Sequence, residues 1–282
     1  MPTPFQASAN ALFHTEVRRV TRLSPGFVRI TLTGAHLNQF AAHGLDQRIK
    51  ILLPTGAQPV FDEELLHESE WRRRWRDLPV AQRPDLRSYT TSAVRPDLRE
   101  VDLDFYVHAR PGPASSWAVT ARAGHRLLVS GPHNRLTDRP YGVQWSPGAA
   151  TQVLLAGDET AYPAIRGIAS ALHPAIRTTI ILEAGDPADA AWLTRDLHAH
   201  TTTVYLRGPA EGRSALVDAV ADWTRASGCA AAGLGSTFYA WLATESGRVA
   251  QLRDLLRGAG ISPAQVHSQG YWNERPRGAL PF

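Results

Sequence analysis

Two short segments combine residue types that bind a planar ligand carrying phosphate. The first is Arg87-Ser88-Tyr89-Thr90, in which Arg87 and Tyr89 lie two residues apart. Such residues share one face of a strand, so a guanidinium able to hold a phosphate lies beside a ring able to stack on a flat ligand. Thr90 offers a hydroxyl and an amide to a ring nitrogen. Taken alone, the pattern also fits an exposed strand with a surface arginine.

The second segment, residues 108–118, leads from a strand end through a turn into a helix. Gly112 permits close backbone approach, and Pro113 suits the first helical turn. The amides of residues 114–116 then point out of a helix N-terminus, where a pyrophosphate binds. A capped helix without a ligand is the alternative.

A third segment, Gly-Asp-Glu-Thr-Ala-Tyr-Pro-Ala-Ile at residues 157–165, begins a helix after a short apolar strand. Two carboxylates at this place repel a phosphate, so the turn is not a P-loop. Asp158 and Glu159 suit the positive end of a helix and are expected to cap it. A direct role facing a cofactor, for which Asp158 and Thr160 are the candidates, is the alternative.

The elements that must position these segments change character near residue 150. Before it, alternating strands separated by turns predict an antiparallel barrel, with a helical excursion over residues 61–84. The predicted strands are residues 16–23, 27–33, 48–53, 101–108 and 126–130, with another around 86–92.

After residue 151, short strands alternate with helices, which predicts a parallel sheet with ligands at the carboxyl ends of its strands. The predicted strands are residues 153–156, 178–182, 204–206 and 238–242. The predicted helices are residues 160–172, 188–198, 214–226 and 245–258. With a linker at 139–150, this gives two domains, 1–145 and 146–282, the second ending in a C-terminal extension.

Composition excludes other classes of protein. The 282 residues are 43% apolar and 20% charged, without an 18-residue apolar run, so neither a disordered tail nor a membrane span is expected. The single cysteine, Cys229, excludes disulfides and iron–sulfur clusters, so electron transfer requires an organic cofactor. The N-terminus lacks the pattern of a secretory signal, which predicts a cytoplasmic protein. The run Trp71–Arg76 is interpreted as a solvated helix face instead of a nucleic-acid site, and no metal site is expected.

Together the three segments resemble the siderophore-interacting proteins, which are FAD-dependent ferric-siderophore reductases of the ferredoxin-reductase-like group. The family patterns R-x-Y-T, H-x-x-x-G-P-A-S-x-W-A and G-D-E-T-A-x-P-A-I fit this chain over nearly its whole length. The matching residues in the first two are Arg87, Tyr89, Thr90, His108, Gly112, Pro113, Ala114, Ser115 and Trp117. Departures from the family are Ala109, Ser92 and Thr244, where it has Gly, Arg and Gly.

The resemblance implies an N-terminal β-barrel that binds FAD and an α/β domain that binds NADH or NADPH. An anionic ferric siderophore would lie over the flavin ring and release its iron after reduction. Two alternatives remain open. One is a flavin reductase that serves a ferredoxin or an oxygenase, and the other is a siderophore-binding protein without enzymatic activity.

Two residues outside these segments carry ligand predictions. Lys50 is the only lysine of the chain and lies opposite the apolar Ile49 and Ile51 in strand alternation. It resembles the family's lysine that faces the substrate pocket, although a strand lysine facing water is the alternative. Glu183 follows the strand 178–182, where an acid binds a ribose hydroxyl and repels a 2′-phosphate, which favours NADH. Arg207 nearby opposes this preference.

Overall fold

The computed structural model describes residues 9–55, 61, 65–108, 111–135, 140–208 and 214–274. The chain divides into two compact units, Met1–Val143 and Gln144–Phe282. The boundary expected from the sequence lay after residue 145. No helix in the described ranges is both long and apolar enough to cross a membrane.

The first unit is the antiparallel barrel that the alternating patterns predicted. Its strands are β1 (Asn10–Arg22), β2 (Phe27–Thr33), β3 (Arg48–Leu53), β4 (Asp85–Arg95), β5 (Glu100–Tyr106) and β6 (Arg126–Pro132). They close in the order β1-β2-β5-β4-β3-β6. Inward side chains such as Phe13, Ile51 and Leu103 form the core, and helix α2 (Pro113–Thr120) adds Ala114 and Ala118 to it.

Helix α1 (Glu68–Asp77) lies against the outer face of the barrel. Trp71 is fully buried in a cluster with Leu12, Leu52 and Leu128. The Arg72 and Arg74 side chains donate to the carboxylates of Glu68 and Glu70, each at 2.7 Å and one helical turn earlier. Trp71 is buried and cannot stack on a base, and Arg72 and Arg74 are paired with acids, which favours a structural role for these residues.

The second unit is a parallel five-stranded sheet covered by helices, as the alternation of elements predicted. Its strands are β7 (Gln152–Gly157), β8 (Arg177–Ala184), β9 (Thr201–Leu206), β10 (Phe238–Glu245) and β11 (Val266–Trp272), in the order β11-β10-β7-β8-β9. Its helices are α3 (Tyr162–Ala171), α4 (Pro187–Thr194), α5 (Ala215–Gly233) and α6 (Ser246–Gly258). The sequence did not predict β11. Because the strands are parallel, their carboxyl ends meet at one edge, called here the carboxyl edge.

Candidate functional site

The register of β3 and β4 fixes which predicted residues share a face of the barrel wall. Arg87 and Tyr89 pair with Ile51 and Ile49, whose side chains belong to the barrel core. The two candidates therefore lie on one face, as their spacing predicted. Lys50 pairs with Ser88 on the opposite face.

Three aromatic rings connect the first two sequence segments. The ring centroid of Tyr89 lies 4.4 Å from that of Phe105, which lies 5.7 Å from that of Trp117. Burial raises the pKa of the Tyr89 phenol, so this side chain stays neutral. The fold thus brings β4 and α2 together around Phe105. Sequence reasoning missed Phe105 because nothing in its strand distinguishes it from other core residues.

The turn before α2 has the open backbone that a phosphate needs. Gly112 has extended backbone angles, and a Cβ placed on it would meet no atom within 4 Å. The fold itself therefore does not require glycine here, whereas a closely approaching ligand would. His108, before the turn, lies with its ring edge on Tyr106 at 4.8 Å between centroids. Ala109 lies outside the described residues.

The amides at the start of α2 correct one detail of the sequence prediction. The Ser116 amide donates to the Gly112 carbonyl at 2.9 Å and closes the first turn, so it is not free for an anion. The amides of Ala114 and Ser115 have no hydrogen-bond partner within the described ranges. The Ser115 hydroxyl donates to the Tyr106 carbonyl at 3.0 Å and ties α2 to β5. Two amides of this turn, not three, are therefore without a partner among the described residues.

The Arg87 guanidinium is only weakly held by its neighbours. Its side chain is 40% exposed, and Nη1 lies 3.4 Å from an Asp85 oxygen that is itself in an exposed side chain. Nη1 also donates to the Leu86 carbonyl at 3.0 Å. An ion pair this exposed contributes little to stability. The charge is therefore available to an anionic ligand.

Lys50 is half-buried on the outer face of the barrel, and its ammonium donates to the Ser88 hydroxyl. Burial lowers the pKa of Lys50, and the nearby positive charges of Arg48 and Arg72 lower it further, against the opposing effect of Glu68. Thr90 pairs with Arg48 and lies two residues along β4 from Ser88, so it is on the same face as Lys50. Lys50 and Thr90 therefore lie on the same side of the wall.

Asp158 is saturated by groups of the second unit. One carboxylate oxygen accepts from the amide and hydroxyl of Thr160 at 2.9 and 2.5 Å. The other accepts from the hydroxyl of Thr244 at 2.7 Å and the indole of Trp272 at 2.8 Å. Only 1% of the residue is exposed. This geometry favours capping over direct cofactor contact, and it uses Thr244, one of the departures from the family pattern.

Glu183 does not have the role that its position suggested. It is fully buried, and one oxygen accepts from Arg207 Nε at 2.7 Å. The other accepts from the Ser214 hydroxyl at 2.9 Å and the Leu216 amide at 2.8 Å. Burial alone would raise the pKa of Glu183, but these hydrogen bonds outweigh it and hold the pKa below the ordinary value. The carboxylate is ionised, but its hydrogen bonds leave it unavailable to a ribose. The prediction that Glu183 favours NADH assumed a free carboxylate, and that assumption is wrong.

Side chains suited to a metal ion do not gather in the part of the chain that the structure describes. It contains no group of three or more His, Cys, Asp or Glu residues arranged to hold one.

Comparison with known proteins gives two family matches and a set of relatives. Residues 16–136 match the siderophore-interacting FAD-binding domain, and residues 150–275 match the siderophore-interacting protein domain. The mycobactin import ATP-binding/permease protein IrtA of Mycolicibacterium smegmatis is 28% identical over 229 residues, 80% of this chain and 24% of IrtA. The chain thus spans about a quarter of that relative.

Two further similarities bear on activity and fold. The NADPH-dependent ferric-chelate reductase of Escherichia coli is 34% identical over 156 residues, 53% of either chain. The crystal structure of a siderophore utilization protein from T. fusca has a TM-score of 0.71 at 24% identity, covering 98% of this chain and 97% of that one. The latter match shows a shared fold.

Proposed function

The chain belongs to the siderophore-interacting protein family, and on that premise we propose that it is an FAD-dependent ferric-siderophore reductase acting in the cytoplasm. The observation that carries the proposal is the ring series Tyr89, Phe105 and Trp117 beside a loosely held Arg87 and an open turn at Gly112. Relatives named as a ferric-chelate reductase and a ferric vibriobactin reductase support it.

Each barrel residue has a distinct part in holding the cofactor. Tyr89 and Arg87, on one face of β4, would stack on the flavin ring and neutralise phosphate. Thr90, on the other face together with Lys50, would lie towards the ring edge. The amides of Ala114 and Ser115 receive the pyrophosphate at the positive end of α2. Pro113 sets the first turn of that helix, His108 precedes the turn, and Trp117 lies within the helix. When bound, FAD would supply the chemistry that connects two-electron hydride transfer from a reduced nicotinamide with one-electron reduction of ferric iron.

The residues of the second unit support the nicotinamide donor indirectly. Asp158 holds Thr160, Thr244 and Trp272 and so shapes the carboxyl edge, where ligands of parallel sheets bind. Thr160 lies in the turn after β7 and contributes to that edge through its backbone.

Lys50 supplies positive charge for the substrate. An anionic ferric chelate is attracted to an ammonium, and the same charge stabilises the electron that enters the complex. Iron released as Fe(II) binds hard oxygen ligands more weakly, so reduction leads to release.

The direct test is a visible spectrum of the purified protein after incubation with FAD and desalting, followed by anaerobic turnover. We expect a flavin band that bleaches on addition of NADH or NADPH, and ferrous iron captured by a ferrous-specific chelator after a ferric siderophore is added. A colourless protein after reconstitution contradicts the proposal. Flavin reduction without ferrous iron would favour the alternative of a flavin reductase serving a ferredoxin or an oxygenase.

Replacing Gly112 with alanine tests the pyrophosphate turn. Because the backbone is extended and a Cβ meets no protein atom, the free energy of unfolding should change by less than about 0.5 kcal/mol. The added methyl group occupies space that the phosphates need, so FAD affinity should fall about fivefold, the factor for roughly 1 kcal/mol. Gly258→Ala, which also adds a Cβ in open space but in α6, is the matched control and should leave FAD affinity unchanged. Equal FAD affinity in both variants places the phosphates elsewhere.

Replacing Lys50 with alanine should raise the Michaelis constant for an anionic ferric siderophore about fivefold. The variant loses the attraction between the half-exposed ammonium and the chelate, which is worth roughly 1 kcal/mol. Flavin content and flavin reduction should not change. Because the pKa of Lys50 is lowered, its charge disappears at a lower pH than that of an ordinary lysine. The wild-type Michaelis constant should therefore rise with pH below about 10, whereas Lys50→Arg should stay flat across that range. A wild-type profile identical to that of Lys50→Arg would remove Lys50 from the substrate site.

A further inference from the structure

One guanidinium joins the carboxyl ends of three neighbouring strands in the second unit. Arg207 follows β9, and its amide donates to the Ala184 carbonyl of β8 at 2.8 Å. Its Nε donates to Glu183 in β8 and its Nη2 to Glu159 after β7, both at 2.7 Å. Both carboxylates are buried, and Glu159 also accepts from the Gly185 amide at 2.7 Å. The guanidinium is therefore held in one orientation by two acids.

The rest of the Arg207 guanidinium faces away from these acids. Its side chain is 31% exposed, and Nη1 has no partner among the residues that the structure describes. Two adjacent carboxylates keep the group charged, and its fixed orientation reduces the rotamer freedom that it would lose on binding. Arg207 is thus a preorganised receptor for a phosphate.

The same contacts remove the obstacle to a phosphate on the ribose. A free acid near the end of the second strand of a dinucleotide fold accepts from the 2′-hydroxyl and repels a 2′-phosphate. Here Glu183 is held by Arg207 and lies 3.4 Å from Arg248 Nη1. Arg207 and Arg248 offset the negative charges of Glu159 and Glu183, so neither of these acids would face a phosphate without a cationic partner.

We propose that Arg207 binds the 2′-phosphate of NADPH and makes NADPH the preferred hydride donor over NADH. The inference rests on the proposed function, in which the second unit receives a nicotinamide donor. Arg207 is then the residue that determines donor specificity, and Glu159 and Glu183 are the residues that position it.

The test measures flavin reduction in the FAD-loaded protein by anaerobic rapid mixing with NADPH or NADH. Wild type should reduce its flavin more efficiently with NADPH. In Arg207→Gln the efficiency with NADPH should fall about ten- to a hundredfold, the factor for one charge-assisted phosphate contact, while that with NADH changes much less. Because Arg207→Gln leaves two buried acids without this partner, the double variant Glu159→Gln/Arg207→Gln is measured beside it. In the double variant, Arg248 remains as a positive partner for Glu183, so no buried acid is left without one. We expect the double variant to lose the preference for NADPH as the single variant does.

Arg225→Gln is the matched control. Arg225 is an exposed arginine on α5, paired with Asp222, so its replacement removes the same charge away from the carboxyl edge. It should keep the wild-type ratio of the two donors. A double variant that also keeps that ratio overturns the inference, as does a wild type that prefers NADH or reacts with neither donor. Each protein is separately reduced with dithionite, freed of excess dithionite by anaerobic desalting, and mixed with ferric siderophore. Formation of ferrous iron in that step shows that the proposed function stands even where the role of Arg207 fails.

Discussion

Replacing Arg87 with alanine is expected to weaken FAD binding about ten- to a hundredfold, because one charge-assisted contact to phosphate is worth roughly 1.5 to 3 kcal/mol. The native partners of Arg87 are a backbone carbonyl and an exposed carboxylate at 3.4 Å. Its loss should therefore cost the fold little, so the effect should appear in cofactor affinity and not in the stability of the FAD-free protein. Equilibrium titration of FAD into the stripped protein, followed by flavin fluorescence, measures it.

Two further variants separate charge from geometry at this position. Arg87→Lys keeps the positive charge but loses the planar fork that matches a phosphate, so an intermediate loss is expected. Arg126→Ala removes an exposed arginine from β6 of the same barrel and should bind FAD as wild type does. Equal affinities for Arg87→Ala and Arg126→Ala would mean that Arg87 is a surface residue, the alternative that the sequence left open.

Part of the barrel was predictable because neighbouring residues of a strand alternate between the core and the outer side. In β3, Ile49 and Ile51 are buried in the core while Lys50 between them is not, and this alternation is visible in the sequence. Strand β11 lacks such a signal, because it is an edge strand whose residues are mostly half-buried, without a buried row. The position of β11 is fixed by its parallel pairing with β10 and by the hydrogen bond that the Trp272 indole donates to Asp158. Neither contact can be read from local residue types.

The candidate sites divide in the same way. Arg87 and Tyr89 were found because their relation is local, two residues apart on one strand. Arg207, by contrast, donates to Glu159 and Glu183, and the three residues come from the ends of three different strands. The position of Glu183 after a predicted strand suggested that its carboxylate was free to bind a ribose. Only the sheet order shows that Arg207 reaches both acids, so the charge that governs the carboxyl edge depends on tertiary contacts.

Replacing Arg95 with alanine should lower the stability of the barrel substantially. Arg95 donates to both oxygens of Asp102 at 2.8 Å and to Glu100 at 3.0 Å, and both acids are buried. Removing one partner of a buried ion pair costs about 3 to 5 kcal/mol, because the other charge stays buried without it. We expect about 3 kcal/mol, since 32% of the Arg95 side chain already contacts water. Arg18→Ala is the control, because Arg18 also pairs with Glu100 but is more than half exposed, and it should cost less than about 1 kcal/mol.

The dependence on pH shows whether ionisation causes this loss. Burial alone would raise the pKa of Asp102, but hydrogen bonds from Arg95 and Thr31 outweigh it and hold the pKa below the ordinary value of about 3.9. A depressed pKa in the folded state adds stability above the unfolded pKa, and this stability is lost as the pH falls through the folded value. The difference between wild type and Arg95→Ala should therefore be full at neutral pH and shrink on acidification below about pH 4. Amide exchange resolved by peptide measures the opening of β4 and β5, with β8 of the second unit as the internal reference. A difference that stays constant with pH would show that Arg95 acts through packing of its side chain and not through its charge.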